Sequence, residues 1–385
     1  MKFQSICAVE GVTACGMKEG KFGLALIRAE GTAAAVFTKN RVSAAPVELM
    51  KQQIKKGRLE AVIANSGCAN AYTGKQGFDD AVEMTRIAGD VLGVEPERVG
   101  VASTGVIGRY LDIPLIRSQC NRLVPLLARN PEAEASAAKA IMTTDTFPKH
   151  ALVEADGFSV AGITKGSGMI APNMGTMLAF IYTDAEISAS NLKEALKSAT
   201  QRSFNRVVVD GDTSTNDIAV CTATGKAGRV KYAEFCMALE ECCRSLAMQI
   251  AKDGEGATKL LEVMVVGAPD EEAAADVART IIGSPLVKTA IYGEDPNWGR
   301  VIAAAGRAGV AFDPDSVSLW IGNGAARCPL VKKGDIVADL KKAKEAMRGN
   351  IVFFTLDLAA GDGEATAWGC DLTERYVEIN GRYTT

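Results

Sequence analysis

Hydrophobic and polar positions follow two rhythms along this chain, and each rhythm predicts its own kind of element. Short apolar runs bounded by glycine, asparagine or charge at 23–27, 33–37 and 61–64 predict strands. Between 78 and 92 the spacing becomes three and four, with Met84, Ile87, Ala88 and Val91 on one face, and Gly93 marks the end of a helix. The same reasoning predicts helices over 115–128 and 132–142, strands over 151–154 and 158–163, a buried strand over 177–182, a helix over 189–204 and a strand over 206–209. A long helix over 232–252 is carried by Cys236, Leu239, Cys243, Leu246 and Ile250. Further on, strands are predicted over 262–266, 317–321, 351–358, 365–370 and 374–379, and helices over 270–282 and 337–347. Strands and helices mix without the strict alternation of a doubly wound parallel sheet. The pattern predicts a layered α/β sandwich with mixed sheets, and no repeat or low-complexity linker separates independent domains.

Composition narrows the function. The chain has 385 residues, 48% hydrophobic and 23% charged, which is the profile of a globular protein and excludes disorder. Lys+Arg 43 against Asp+Glu 46 gives a formal net charge of -3, so no overall positive field is available for nucleic acid or an anionic membrane; a small-molecule partner fits better. His150 is the only histidine, which excludes a histidine-rich zinc site. The ten cysteines contain no Cys-x-x-Cys pair and several occupy apolar positions, as free thiols of a reducing compartment do. The start lacks a signal-peptide pattern and nowhere do about 18 apolar residues run together, so a cytoplasmic protein is expected.

Residues 165–176 break the pattern. The run Lys-Gly-Ser-Gly-Met-Ile-Ala-Pro-Asn-Met-Gly-Thr holds three glycines and a proline, and reads as an irregular loop opening onto the strand at 177–182. Its glycines do not complete a dinucleotide fingerprint, and 254–259 lacks the full phosphate-loop pattern. Asp210, Asp212 and Asp217 could bind magnesium, but such a loop more often satisfies its own backbone, and no metal is expected. No Gly-x-Ser-x-Gly elbow accompanies His150, and Cys68 has no visible activating partner. What remains is Gly175-Thr176. A threonine that becomes a chain terminus carries nucleophile and base in one residue, because its freed α-amine, with a pKa of about 8, can take the hydroxyl proton. Taken alone, the dipeptide reads more readily as an ordinary hydrogen-bonding loop threonine.

The run from Lys165 to Phe180 closely resembles the self-cleavage segment of the ornithine acetyltransferases, the glutamate N-acetyltransferases of the cyclic arginine pathway. The resemblance extends through 65–71, Ser-Thr-Gly-Val-Ile-Gly at 103–108, Thr-Thr-Asp-Thr at 143–146, 210–217, 253–259, 293–300 and the terminal 380–385. It implies an N-terminal-nucleophile enzyme of the ornithine acetyltransferase and aminopeptidase fold, α/β/β/α-like in its layers. It also implies a precursor that cuts itself between Gly175 and Thr176, giving an α chain of 175 residues and a β chain of 385 − 175 = 210 that fold together as one catalytic unit. Thr176 would take the acetyl group of N2-acetylornithine, release ornithine, and pass the acetyl to glutamate in a ping-pong cycle. The Thr104 hydroxyl and the Gly105 backbone N–H are the implied oxyanion donors.

The implied substrate contacts are Thr143, Lys165, Thr176, Glu255, Asn380 and Thr385. Thr144 adjoins Thr143, and the register there admits a shift of one. Lys165 suits the substrate carboxylates, and Glu255 suits the cationic δ-amine of ornithine. Read without the resemblance, Lys165 is a solvated loop charge, Glu255 a helix-start carboxylate and Asn380 a turn residue. Gly175 stands where the family most often has alanine. Its wider backbone freedom holds a strained pre-cleavage geometry less firmly, so slower cleavage is expected. No cofactor is implied for acetyl transfer, acetyl-CoA being a co-substrate if the enzyme is bifunctional, and the implied assembly is two α and two β chains. The alternative is an aminopeptidase or amidase of the same fold; those relatives tend to use serine, so Thr176 favours transfer. An amino-acid-binding module would gain nothing from a cleavable Gly-Thr pair.

Overall fold

The computed structural model describes residues 3–171, 177–322 and 327–382. Among them the strands, in chain order, are β1 (Thr13–Glu19), β2 (Phe22–Phe37), β3 (Arg58–Cys68), β4 (Val99–Val106), β5 (Lys149–Ala155), β6 (Phe158–Lys165), β7 (Leu178–Glu186), β8 (Val207–Val208), β9 (Ile218–Arg229), β10 (Leu260–Ala268), β11 (Ser318–Ile321), β12 (Cys328–Lys332), β13 (Asp335–Ile336), β14 (Ile351–Asp357) and β15 (Gly363–Cys370). They divide between two compact units. The described part of the first is 3–169, 177–205 and 212–246; that of the second is 170–171, 206–211, 247–322 and 327–382. Each unit is assembled from separate stretches of chain, so no single linker exists for the sequence to reveal.

The first unit holds a sheet in the order β4-β3-β2-β9-β7-β6-β5, with β1 also on β2. The pairs β3/β4 and β7/β9 are parallel and the remaining pairs antiparallel. The long β2 serves two partners, residues 23–32 pairing with β3 and 32–37 with β9. Gly31 permits the switch, since a Cβ there would lie 2.1 Å from the carbonyl oxygen of Ala223. Alternation along the strands sorts the core. Leu24, Leu26 and Ile63 join Met84 and Ile87 of the helix Gly74–Leu92, while Ala25, Ile27, Val62 and Ala64 join Ala137 and Ala138 of the helix Pro131–Ala140. Each fully buried leucine or isoleucine contributes about 1.5–3 kcal/mol relative to exposure.

The second unit holds a sheet in the order β13-β12-β11-β14-β10-β15-β8. Here β10/β14 and β15/β8 are parallel and the rest antiparallel. The helix Glu271–Ile282 buries Ala274, Val277, Ala278 and Ile281 in one cluster with Val263, Val265 and Ala367. Its start is fixed by Asp270, whose carboxylate accepts the N–H of Ala273 at 2.8 Å. Both units thus combine helices with a mixed sheet, as a layered α/β sandwich requires.

One predicted strand is corrected. Residues 374–379 belong to a helix, Glu374–Gly381, with Thr373 as its cap, accepting the N–H of Arg375, and an Arg375–Glu378 ion pair at 2.7 Å one turn apart. Alternation at Tyr376–Ile379 imitates a strand, but no residue of this helix is buried, so its apolar positions carry no information about a core-facing side. All ten cysteines are free and nine are buried. Among the described residues, no helix is long and apolar enough to cross a membrane.

Candidate active site

Thr104 and Gly105 lie near the end of β4, where β3 and β4 run parallel and a bulge at Cys68 ends the regular pairing. Thr104 is buried. Gly105 has φ +134, and a Cβ there would sit 2.3 Å from the carbonyl carbon of Gly67, so only glycine permits this approach of the two strands. The Asn216 side-chain amide donates to the carbonyls of Ser103 at 2.9 Å and Ala69 at 2.6 Å. The same strand ends are tied by Asn65, which donates to the Cys68 carbonyl at 2.9 Å.

Thr143 and Lys165 meet around one carboxylate. Asp145 accepts the N–H of Thr143 at 3.0 Å and that of Gly166 at 2.7 Å, and pairs with the Lys149 ammonium at 2.7 Å with both side chains fully buried. Burial alone would raise the Asp145 carboxyl. The charges of Lys165 and Lys149, the Lys149 hydrogen bond and the Gly166 N–H overcome it and hold the pKa at about 2. Lys165 is the last residue of β6, paired in register with Leu178 and only 3% exposed, so it is not a solvated loop charge.

Two acids of the loop over 210–217 accept backbone amides. Asp210 accepts the N–H of Ile170 at 2.9 Å, and Asp217 that of Met177 at 2.9 Å. Among the described residues no group of three His, Cys, Asp or Glu side chains could hold a metal ion. The cleavage pair Gly175 and Thr176, and the terminal Thr385, lie outside the described residues.

In the second unit Glu255 and Asn380 are brought together. The Asn380 amide donates to Glu255 Oε2 at 2.6 Å and to the Tyr376 carbonyl at 3.1 Å. The loop carrying Glu255 is set from beneath by Asp371, which accepts the N–H groups of Thr258 at 2.8 Å and Lys259 at 3.0 Å, and by Thr373, which donates to the Gly256 carbonyl at 2.7 Å. Gly256 has φ +73, and a Cβ there would lie 2.7 Å from the amide nitrogen of Tyr376.

The weaker candidates have structural contacts. His150 Nδ1 lies 3.0 Å from the Ser5 hydroxyl, and burial lowers the pKa of its ring. Burial raises the Cys68 thiol, whose sulfur meets the carbonyls of Arg109 and Tyr110 at 3.2 and 3.4 Å, so it is no activated thiolate. Sequence reasoning did not give roles to Asp145 or Asn216, and it named Asp217 only among loop acids that could bind magnesium or satisfy their own backbone. All three stand inside motifs it singled out, at 143–146 and 210–217.

A layered α/β fold, in a chain that resembles self-cleaving acyltransferases, defines a class that comparison makes specific. The ArgJ family matches residues 9–385. The glutamate N-acetyltransferase of Methanosarcina mazei is 52% identical over 389 residues, covering 99% of this chain and 98% of that protein. The arginine biosynthesis bifunctional protein ArgJ of Symbiobacterium thermophilum is 50% identical over 384 residues, covering 96% and 94%. Among solved structures, the arginine biosynthesis bifunctional protein of Bacillus halodurans superposes with a TM-score of 0.51 at 43% identity, covering 54% of this chain and 99% of that one. This chain belongs to the ArgJ family.

Proposed function

We propose that this protein is a glutamate N-acetyltransferase, moving the acetyl group of N2-acetyl-L-ornithine to L-glutamate through an acetyl-Thr176 intermediate in arginine biosynthesis. The observation that carries this reading is the family match over nearly the whole chain, joined to a cleavage segment of the family's type at 165–180. Self-cleavage between Gly175 and Thr176 frees the α-amine.

In the first half-reaction the Thr176 α-amine takes the proton of its own hydroxyl as the oxygen attacks the acetyl carbonyl. The oxyanion is met by the Thr104 hydroxyl and the Gly105 N–H. Collapse breaks the amide bond, the ornithine nitrogen leaves with the proton, and the acetyl remains as an ester on Thr176. In the second half the glutamate amine attacks that ester, its proton returns to the threonine oxygen, and N-acetylglutamate departs. Lys165 receives the substrate carboxylates and Glu255 the δ-ammonium of ornithine, with Thr143, Asn380 and Thr385 completing the contacts. The 2.6 Å bond from Asn380 to Glu255 supports a shared role for that pair, since it orients the carboxylate. No cofactor takes part in this cycle, and acetyl-CoA is a second donor to be assayed. The enzyme acts on small molecules in the cytoplasm as two α and two β chains.

Intact-mass spectrometry of the purified protein, with and without N-acetylornithine, tests the reading. Two species, one beginning at Thr176 and acetylated there when N-acetylornithine is supplied alone, are expected. An uncut chain with no acetyl transfer to glutamate would overturn it.

A further inference from the structure

One carboxylate joins two stretches of the first unit. Asp145 Oδ2 accepts the N–H of Thr143 at 3.0 Å, and Oδ1 accepts the N–H of Gly166 and the Lys149 ammonium, each at 2.7 Å. Both polar ends of the Met142–Thr143 peptide are held, because the Met142 carbonyl accepts from the Lys18 ammonium at 2.8 Å. A peptide unit is planar, so these bonds fix the plane from which Thr143 departs, and the bond to Gly166 fixes the plane through which Lys165 leaves β6. Lys149 reaches Asp145 from the adjoining strand, since it opens β5 opposite Thr164, the neighbour of Lys165 in β6. The Asp145 and Lys149 side chains are fully buried. A buried ion pair is often no more stabilising than an apolar pair of the same volume. What this pair adds is a set spacing between the two amides.

We propose that Asp145, paired with Lys149, is a positioning residue that sets Thr143 and Lys165 for the substrate carboxylate, and so gives the enzyme its preference for carboxylate-bearing donors. The proposal rests on the reading of Thr143 and Lys165 as substrate contacts. All three partners of Asp145 are donors, and an ionised carboxyl offers acceptors alone. Burial opposes the ionised form, and the charges of Lys165 and Lys149, with the Lys149 and Gly166 hydrogen bonds, restore it. An amide side chain of the same shape replaces one oxygen by NH2. Whichever way it turns, a donor then faces a donor. Asp145→Asn therefore keeps the volume and breaks the link between the two stretches.

The test uses two acetyl donors, N2-acetylornithine and N-acetyl-1,4-diaminobutane, which is the same molecule without its α-carboxylate. For the wild-type full chain, Asp145→Asn and Lys149→Met, kcat/KM is measured with each donor, per cleaved enzyme as counted by intact mass, and Tm is recorded beside it. The wild type is expected to prefer N2-acetylornithine. Asp145→Asn is expected to reduce that preference by about tenfold, because the carboxylate-bearing donor loses most. Lys149→Met, which leaves both amides their acceptor, is expected to reduce it by about threefold. A loss by the same factor for both donors is what a merely structural residue gives, and it would overturn the proposal, as would unchanged kcat/KM in Asp145→Asn. If Asp145→Asn does not fold, Lys149→Met decides alone: a reduced preference upholds the proposal, and an unchanged one overturns it. The wild type separates the two ideas. A wild type that is inactive, or that uses both donors equally, defeats the reading of Thr143 and Lys165 as carboxylate contacts, whereas a discriminating wild type beside unselective variants defeats only this proposal.

Discussion

Asn216 and Ser103 are joined by a bond of 2.9 Å from the buried side-chain amide of the first to the backbone carbonyl of the second, the residue just before Thr104. The same amide nitrogen donates to Ala69 on the neighbouring chain segment. One side chain thereby sets the peptide that leads into the proposed oxyanion donors.

Asn216→Ala leaves two buried carbonyls without that donor, at a cost of about 1–3 kcal/mol for each. A fall in Tm and a fall in kcat are expected together. Asn216→Asp discriminates between lost volume and lost donors: it keeps the shape but presents acceptors to acceptors, so it should be at least as damaging as alanine. Thermal unfolding and acetyl-transfer assays of both variants check this; a benign Asn216→Asp would show that the donors are unimportant.

Gly105→Ala should be among the most damaging single-methyl changes in the first unit. The residue sits at φ +134 and the new carbon would meet the Gly67 backbone at 2.3 Å, so strain of about 1–3 kcal/mol adds to separation of the strands. Loss of activity with a lowered Tm is expected. Gly108→Ala is the control: Gly108 also has a positive φ, +78, but its added carbon meets nothing within 4 Å, so its effect should be smaller.

The pH dependence of stability should carry the signature of Asp145. Its pKa is depressed in the folded protein, from 3.8 to about 2, so the stabilisation it gives is present above pH ~4 and is lost as pH falls toward 2. The shift corresponds to roughly 2 kcal/mol. Denaturant unfolding at pH 5, 4, 3 and 2 should show a shallower loss over that window in Asp145→Asn than in wild type, whatever the variant's stability at neutral pH. Parallel slopes would contradict the assignment.

Legibility from sequence followed burial and periodicity. The helix Tyr232–Lys252 was readable end to end because Cys236, Leu239, Cys243, Leu246 and Ile250 keep helical spacing. Strand β4 was not, because Gly100, Ser103, Thr104 and Gly105 interrupt its apolar signal, Thr104 and Gly105 being the proposed oxyanion donors. The helix Ala45–Gln53 was missed as well, its pattern diluted by Glu48, Lys51 and two glutamines. Likeness to a family brought Glu255 and Asn380 forward, and the structure puts them in contact. Asn216 and Asp217 act through backbone groups distant in sequence, and Asp145 ties the nearby Thr143 amide to the distant Gly166 amide; side-chain chemistry alone does not point to such partners.

The division of labour between Lys165 and Glu255 can be read from kinetics. Both substrates carry an α-carboxylate, but only ornithine carries a δ-ammonium, so the two charged residues should fail differently. Glu255→Gln removes the charge, and its uncharged amide can no longer pair with the cation. It should raise KM for N-acetylornithine by roughly tenfold, about 1.4 kcal/mol, while KM for glutamate moves little. Lys165→Met removes the cation proposed to receive the substrate carboxylates and also strips Asp145 of one of its two lysine charges. It should raise KM for glutamate and N-acetylornithine alike, and bring the Asp145 carboxyl back up toward its ordinary range. Steady-state kinetics with each substrate varied at saturating levels of the other decide the matter: an equal, unselective rise for both substrates in Glu255→Gln would remove that residue from ornithine recognition.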